Sequence, residues 1–530
     1  MTRTQTRRPV ERPSWNDATR DLLTPAALAF LKALHREFEP RRQKLLEARK
    51  LRQTALDSGV RPGFQPETAD IRAREWQVAA PPKDLECRQV EIVGPVDRRT
   101  IVNSLNSGAD CFVADFGDSL SPTWPNVIRG HHNLYDAIRR QIDFIADDGR
   151  PFRLSFNLAT LIVRPRGWHL EEARVKVGGH PISASLFDFG LHAFHNAREL
   201  LERDSGPYFS LPKLQNRHEA RLWNDVFEFA ERRLEIPHGS MRATVVVEHI
   251  LAAFEMEEIL HELQDHVTAL SAGRWNYVFS AIKTFGRYPE LTLPDRNDVT
   301  MTVPFMRAFT ELLIRTCHRR GAHAIGTASA FVPRTDDPEL RDRAIDAVRS
   351  EMERESHDGF DGTSVAHRGL VPLARAAFVS VLGASPHHKN HYREDVRVGA
   401  YDLIALADTG GRITRVGMAL NVSVALQYMT CWLRGDGSIP IYHAIEDAST
   451  AEISRAQLWQ WVRHGVPLED GTPVTPDLYR EIREREQRRL TGRLGDDDGR
   501  LTAAARWLDA LVLGDACPPF MAQARLKRPA

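Results

Sequence analysis

Ala243-Thr244-Val245-Val246-Val247-Glu248 is a run of small and β-branched residues that ends on a carboxylate. With no alternation of apolar and polar positions, it reads as a strand buried on both faces. Similar short runs recur on either side. Cys111-Phe112-Val113-Ala114, Leu161-Ile162-Val163 and Tyr208-Phe209-Ser210-Leu211 come before it, and Tyr277-Val278-Phe279 and His323-Ala324-Ile325 after it. Each is followed by a stretch with helical spacing, the mark of parallel βα units. About eight such units over roughly 250 residues suit a closed (β/α)₈ barrel. The runs alone also allow an open doubly wound sheet. What favours the barrel is where the charges fall. Asp115 and Asp118 follow one run, Arg164 and Arg166 another, Lys213 a third and Glu248 a fourth. Barrel enzymes carry their chemistry at the C-terminal ends of the strands.

The flanks read differently. Residues 1 to about 85 are rich in Arg, Lys, Glu and Leu, with Leu28, Leu31, Leu34 and Phe38 at helical spacing and a second cluster at Leu45, Leu46 and Leu51. A helical segment is expected, with a solvated surface arm as the alternative. After about residue 400 the pattern is helical again. Ser449-Thr450-Ala451-Glu452 has the spacing of a capping box, opening a helix through Ile453, Ala456, Trp459 and Val462. Asp447 stands just before that start, where the helix dipole favours its ionised form.

The chain has 530 residues, too many for one ordinary core, and Lys plus Arg equals Asp plus Glu at 71 each. That balance gives no electrostatic case for nucleic acid or a membrane surface as partner. The five cysteines are scattered, as reduced thiols would be. No stretch reads as a membrane span, Met1 to Pro13 has no apolar core of a secretory signal, and Lys527-Arg528-Pro529-Ala530 is no peroxisomal address. The expectation is a cytoplasmic enzyme.

Four residues stand out as candidates for chemistry. Glu248, ending a buried strand, needs a partner or a cation, and a hard cation such as Mg²⁺ takes oxygen ligands while keeping positions open. Arg164 and Arg166 form either an oxyanion site or a pair of arginines bridged to neighbouring acids. Asp447 is either an oriented base or an acid that simply stabilises a helix start.

Longer motifs run along the chain: Val90-Glu91-Ile92-Val93-Gly94-Pro95-Val96, Ala114-Asp115-Phe116, Arg164-Pro165-Arg166-Gly167-Trp168-His169-Leu170 and Ser185-Leu186-Phe187-Asp188-Phe189-Gly190. They continue through Gly273-Arg274-Trp275, Leu293-Pro294-Asp295-Arg296, Thr316-Cys317-His318-Arg319-Arg320-Gly321-Ala322, Glu446-Asp447-Ala448, Thr450-Ala451-Glu452-Ile453-Ser454-Arg455 and Gln460-Trp461. On these motifs the chain resembles malate synthase of the shorter A type over nearly its whole length. The family's fold is a TIM barrel with an N-terminal helical clasp and a C-terminal helical plug. In this numbering the resemblance implies a clasp at 1–88, a barrel at 89–395 and a helical domain at 396–530 that carries the catalytic Asp.

The resemblance also implies roles. Asp447 matches the base that takes a methyl proton from acetyl-CoA, Arg164 the arginine that stabilises the enolate, and Glu248 a Mg²⁺ ligand. The implied reaction is a Mg²⁺-dependent Claisen condensation of acetyl-CoA with glyoxylate, followed by hydrolysis to malate and CoA, a step of the glyoxylate bypass. That is an acyltransferase acting as a monomer or weak homo-oligomer, with no nucleic acid or membrane partner. Contacts to CoA are not assigned, and the basic stretch Lys389, His391 and Arg393 reads as solvated surface near the barrel–plug junction.

Departures from the family cluster at the pocket. Asn276 stands where a second metal carboxylate is expected, so the metal pair becomes Glu248 and Asn276. Gly117 replaces a Glu in Asp115-Phe116-Gly117-Asp118, His249 a Thr, Thr327-Ala328 a Gly-Met pair, Ser364 a Trp and Arg368 a Pro. One reading is a working malate synthase with weaker metal binding, rebalanced by Asp115 or Asp118. The alternative is a diverged paralogue that acts on another 2-oxo acid or 3-hydroxyacyl-CoA, or a non-catalytic CoA-binding module.

Overall fold

The computed structural model describes residues 15–146, 148–332, 338–518 and 520–526. Met1–Pro13 and Lys527–Ala530 lie outside the described residues.

Eight parallel strands close into a barrel. They are β1 (Val90–Pro95), β2 (Cys111–Asp115), β3 (Thr160–Arg164), β4 (Tyr208–Leu211), β5 (Arg242–Val247), β6 (Val267–Ala272), β7 (His323–Ser329) and β8 (Gly362–Val365). Each pairs with the next, and β8 pairs with β1, so no edge is left open. Every residue of β5 is buried, as its unbroken β-branched run requires. Register then decides the site. Asp115 is the partner of Arg164, and Val247 of Ala272, so the strand-end charges share one rim.

One sequence expectation is corrected here. Tyr277-Val278-Phe279 is not a strand but part of the helix Arg274–Thr284; the strand of that unit is β6, just upstream. Three apolar residues in a row satisfy a buried helix as well as a buried strand, and only the flanking run separates the two.

The helix Pro25–Asp57 begins at Thr24, whose side chain accepts the Ala27 N–H at 3.1 Å. It buries Ala27, Phe30, Leu31, Leu34 and Phe38 in the same apolar core as the barrel. A Cβ on Gly190, in the facing helix Ala184–Leu201, would stand 2.7 Å from both Leu31 and Leu34, so this close crossing needs glycine.

The C-terminal helices Arg415–Arg434, Ala448–His464, Pro476–Leu494 and Arg500–Val512 enclose a second apolar core. Arg415–Arg434 has the length and apolarity of a membrane span, which the sequence reading did not register, yet 67% of that window is buried inside the fold. The helix Ala448–His464 docks on the barrel through Leu293 and Pro294. The Trp461 indole N–H reaches the Leu293 carbonyl at 2.8 Å, and the Gln457 amide reaches the Pro294 carbonyl at 2.5 Å.

Candidate active site

The rim formed by the C-terminal ends of β2 to β5 gathers Asp115, Asp118, Arg164, Lys213 and Glu248. Glu248 follows β5 directly and is 2% exposed. Its Oε1 accepts the backbone N–H of Lys213 at 2.8 Å, and its Oε2 accepts from the Asn276 amide at 2.7 Å and the Lys213 ammonium at 3.3 Å. Asp118 takes the same two donors, Lys213 Nζ at 2.8 Å and Asn276 Nδ2 at 2.9 Å. Two buried carboxylates are thus bridged by one ammonium and one neutral amide. This arrangement holds Asp118 below the usual carboxylate range, although burial alone would raise it.

Lys213 sits there at some conformational cost. Its φ is +62°, a left-handed backbone that non-glycine residues seldom adopt. The conformation is over-determined. The N–H is held by Glu248, and the carbonyl accepts from the Arg49 guanidinium at 2.8 Å. Arg49 belongs to the N-terminal helix and is clamped by Glu219 at 2.7 and 2.6 Å. The N-terminal segment therefore reaches the site through a main-chain contact that sequence reading had no means to foresee.

The two arginines part company. Arg166 makes a closed set of bonds, to Asp188 at 2.9 and 2.8 Å and to Glu172 at 3.0 Å, and is 2% exposed. It is the bridged arginine of the blander reading. Among the described residues the Arg164 side chain makes a single hydrogen bond, to Asp115 Oδ2 at 3.4 Å, and its buried Nε has no partner. Against the cost of burial, the charges of Asp115, Glu248, Asp118 and Asp447 together hold it firmly protonated. A guanidinium with donors to spare at the barrel rim is equipped to meet an oxyanion.

Asp447 comes from outside the barrel. It is the N-cap of the helix Ala448–His464, and its Oδ1 accepts from Ser449 N at 2.9 Å, Ser449 Oγ at 2.6 Å and Thr450 N at 3.4 Å. Thr450 Oγ answers by accepting the Asp447 N–H at 3.0 Å. The capping box is therefore Asp447 with Thr450, not Ser449 with Glu452. Ser449 lies inside the first turn, and Glu452 is occupied by Arg455 and the Met521 N–H. The helix start also touches the barrel loop, with Ala448 N donating to the Asp118 carbonyl at 3.0 Å. Desolvation first, and the nearby Asp118 charge second, push the Asp447 carboxyl up to about 7.

The donors at Glu248 fit a hard divalent cation. Carboxylates of Glu248 and Asp118 converge with the amide of Asn276, whose Oδ1 is buried without a hydrogen-bond partner among the described residues. Rotating that amide would exchange its two atoms and present the orphaned oxygen to the carboxylate pair. Oxygen donors of this kind are what Mg²⁺ takes, with one negative charge fewer than a third carboxylate would give.

The substituted positions are also placed. A Cβ on Gly117 would stand 3.1 Å from Asp115 Oδ1, so Asp115 closes over that glycine. Buried His249 lines the cleft with Arg49, Lys213, Asn276, Lys283 and Phe520. Thr327 donates through N and Oγ to Glu355 at 3.0 and 2.8 Å. Lys389 and Arg393 lie elsewhere. Lys389 is 4.0 Å from Glu86, and Arg393 pairs with Asp395 at 2.9 Å, at the end of the barrel where β1 and β8 begin. The expectation that this stretch lies near the junction with the C-terminal helices is thereby corrected.

Comparison with known proteins agrees with this geometry. Three family models match: "Malate synthase, N-terminal domain" over residues 12–70, "Malate synthase, TIM barrel domain" over 160–406 and "Malate synthase, C-terminal" over 412–527. The chain is 51% identical to a malate synthase of Streptomyces clavuligerus, covering 92% of this chain and 91% of that protein. It is 50% identical to one of Myxococcus xanthus, covering 91% and 88%. It is 43% identical to malate synthase A of Escherichia coli, covering 96% and 95%.

Proposed function

The chain belongs to the malate synthase family, and from that premise we propose that it condenses acetyl-CoA with glyoxylate and releases malate and CoA. The observation that carries the reading is that Asp447, from the C-terminal helix, and Arg164, from the barrel rim, lie close enough for their charges to act on each other. One is a carboxyl poised near neutral pH, the other a firmly charged guanidinium with an unused donor.

The methyl group of a thioester is a very weak acid. A base of pKa near the working pH removes such a proton most efficiently, and Asp447 has been brought to that range by desolvation and by Asp118. The cap hydrogen bonds all land on Oδ1, which fixes the carboxyl while leaving Oδ2 outside the cap. Arg164 offers its charge to the enolate oxygen that forms as the proton leaves. Lys213 holds Asp118 and Glu248 in place, and its charge helps keep Asp118 below the usual carboxylate range. Mg²⁺, when bound by Glu248, Asp118 and Asn276, supplies Lewis-acid polarisation of the glyoxylate aldehyde. The reading carries with it a cytoplasmic enzyme that works as a monomer or weak homo-oligomer, with small molecules as its only partners.

Asn276 favours a second reading, a paralogue with a different 2-oxo acid as acceptor, because the neutral amide and the changed residue His249 line the same cleft as Glu248. One experiment separates the two. CoA release is followed with acetyl-CoA and glyoxylate, with and without Mg²⁺, and the product is identified. Mg²⁺-dependent malate supports the first reading. Bound acetyl-CoA without malate, together with turnover of another 2-oxo acid, replaces it with the second.

A further inference from the structure

The barrel end remote from Glu248 holds a second convergence of ligand-type atoms. Glu231 ends the helix Arg217–Leu234, His238 lies in the turn before β5, and His266 immediately precedes β6. One ligand atom from each lies within 4.8 Å of the others. Glu231 Oε2 is 3.3 Å from His238 Nδ1 and 3.4 Å from His266 Nε2. A tetrahedral ion with bonds of about 2.0–2.1 Å sets its ligand atoms roughly 3.3–3.4 Å apart.

The surrounding hydrogen bonds fix which ring nitrogens are available. Asn224 donates its amide to Glu228 at 2.9 Å, so its Oδ1 is the acceptor for His266 Nδ1 at 2.9 Å. His266 Nδ1 therefore carries a proton, and Nε2 faces Glu231 Oε2 at 3.4 Å. Asp265 Oδ2, 3.3 Å from His238 Nε2, does the same for the other ring and leaves the His238 Nδ1 lone pair facing the same oxygen. A carboxylate or amide oxygen on the far nitrogen of each ring is the usual support of a metal-bound histidine. Glu231 is itself held by the N–H groups of Met241 at 2.8 Å and Gly239 at 3.1 Å. With both facing nitrogens unprotonated, two lone pairs aimed at a buried carboxylate oxygen repel it unless a cation stands between them. Glu231 and His266 are 2% and 0% exposed, whereas the His238 side chain is 58% exposed, which opens the cluster to solvent.

We propose that Glu231, His238 and His266 bind a zinc-class divalent cation, with water as a fourth ligand. The ion would staple the end of the helix Arg217–Leu234 to the turn before β5 and to the start of β6. Its distance from the rim charges makes it a structural site, independent of the Mg²⁺ reading above. The competing state is a pair of protonated histidines against Glu231.

The test is calorimetric titration of the full chain with Zn²⁺ after chelator treatment, with Tm followed in parallel. His238→Gln, at an exposed side chain, should lose one Zn²⁺ equivalent and the matching rise in Tm while keeping the wild-type Tm in chelator. Glu248→Gln should keep that equivalent. Asp265→Asn should weaken it about ten- to a hundredfold. Equal stoichiometry and affinity in wild type and His238→Gln would overturn the site, as would binding seen only at millimolar Zn²⁺ or an equivalent lost in Glu248→Gln alone.

Discussion

Arg88 and Arg164 are both enclosed by the same barrel, at opposite ends of it, and they differ in what surrounds them. Arg88, 0% exposed, donates to Glu91 at 2.8 and 2.6 Å, to Thr268 at 3.2 Å and to Thr244 at 2.7 Å, so one guanidinium ties the entries of β1, β5 and β6. Arg164 has one long contact and an orphaned Nε. The same residue type is thus a satisfied strut at one end and an under-used donor at the other. A buried charge whose bonds are complete contributes to the fold; one whose bonds are incomplete at the strand C-terminal end has donors left over for a ligand.

The sharpest way to break this comparison is at Asp447, one of the charges acting on Arg164. Asp447→Asn should cost about 10²–10⁴ in kcat while acetyl-CoA still binds, since Asn caps a helix as well as Asp does. Retained turnover would place the base elsewhere. Arg164→Met should lower kcat by about 10²–10³ with little change in unfolding by denaturant. Arg88→Met should do the reverse, losing about 3–5 kcal/mol in the same unfolding measurement at unchanged kcat per folded molecule. If the two arginine variants behave alike, the contrast between the barrel ends fails.

Smaller effects sharpen it further. Asn276→Asp adds a third acid beside Asp118 and Glu248. It should tighten Mg²⁺ by about tenfold in titration and lower Tm in chelator, because the acids then repel. Unchanged metal affinity would remove position 276 from the ligand set. Asp447 must be ionised to accept a proton, so kcat/KM should rise with pH through about 7. Asp118→Asn removes a charge that raises Asp447 and should move that limb to lower pH. Linkage has the matching sign. A carboxyl raised on folding stabilises the fold at low pH, and that contribution is lost as pH rises toward about 7, so Asp447→Asn should unfold at higher temperature than wild type at alkaline pH.

Much of the site was legible because strand-end charges are local signals. Glu248 after a β-branched run, Arg164 after Leu161-Ile162-Val163 and Asp447 before a helix are all visible within a few residues. Other parts were not. The apolar triplet at Tyr277 fits helix and strand alike, and Ser449-x-x-Glu452 imitates a cap that Asp447 and Thr450 actually form. Lys213 read only as one more strand-end charge. Its left-handed backbone, its bridge to Asp118 and its tie to Arg49 depend on residues far away in the chain.

By itself, then, the sequence determined the barrel, the helical flanks and the identity of the charges at the rim, because periodicity and strand-end chemistry are written within short windows. Tertiary structure alone decided which arginine is spent on Asp188 and which remains available. It also decided that Asn276 meets two carboxylates through its amide, and that Asp447 is lifted toward neutrality. Each of these depends on how many charges share one desolvated space, and that is set by barrel closure and the docking of the C-terminal helix.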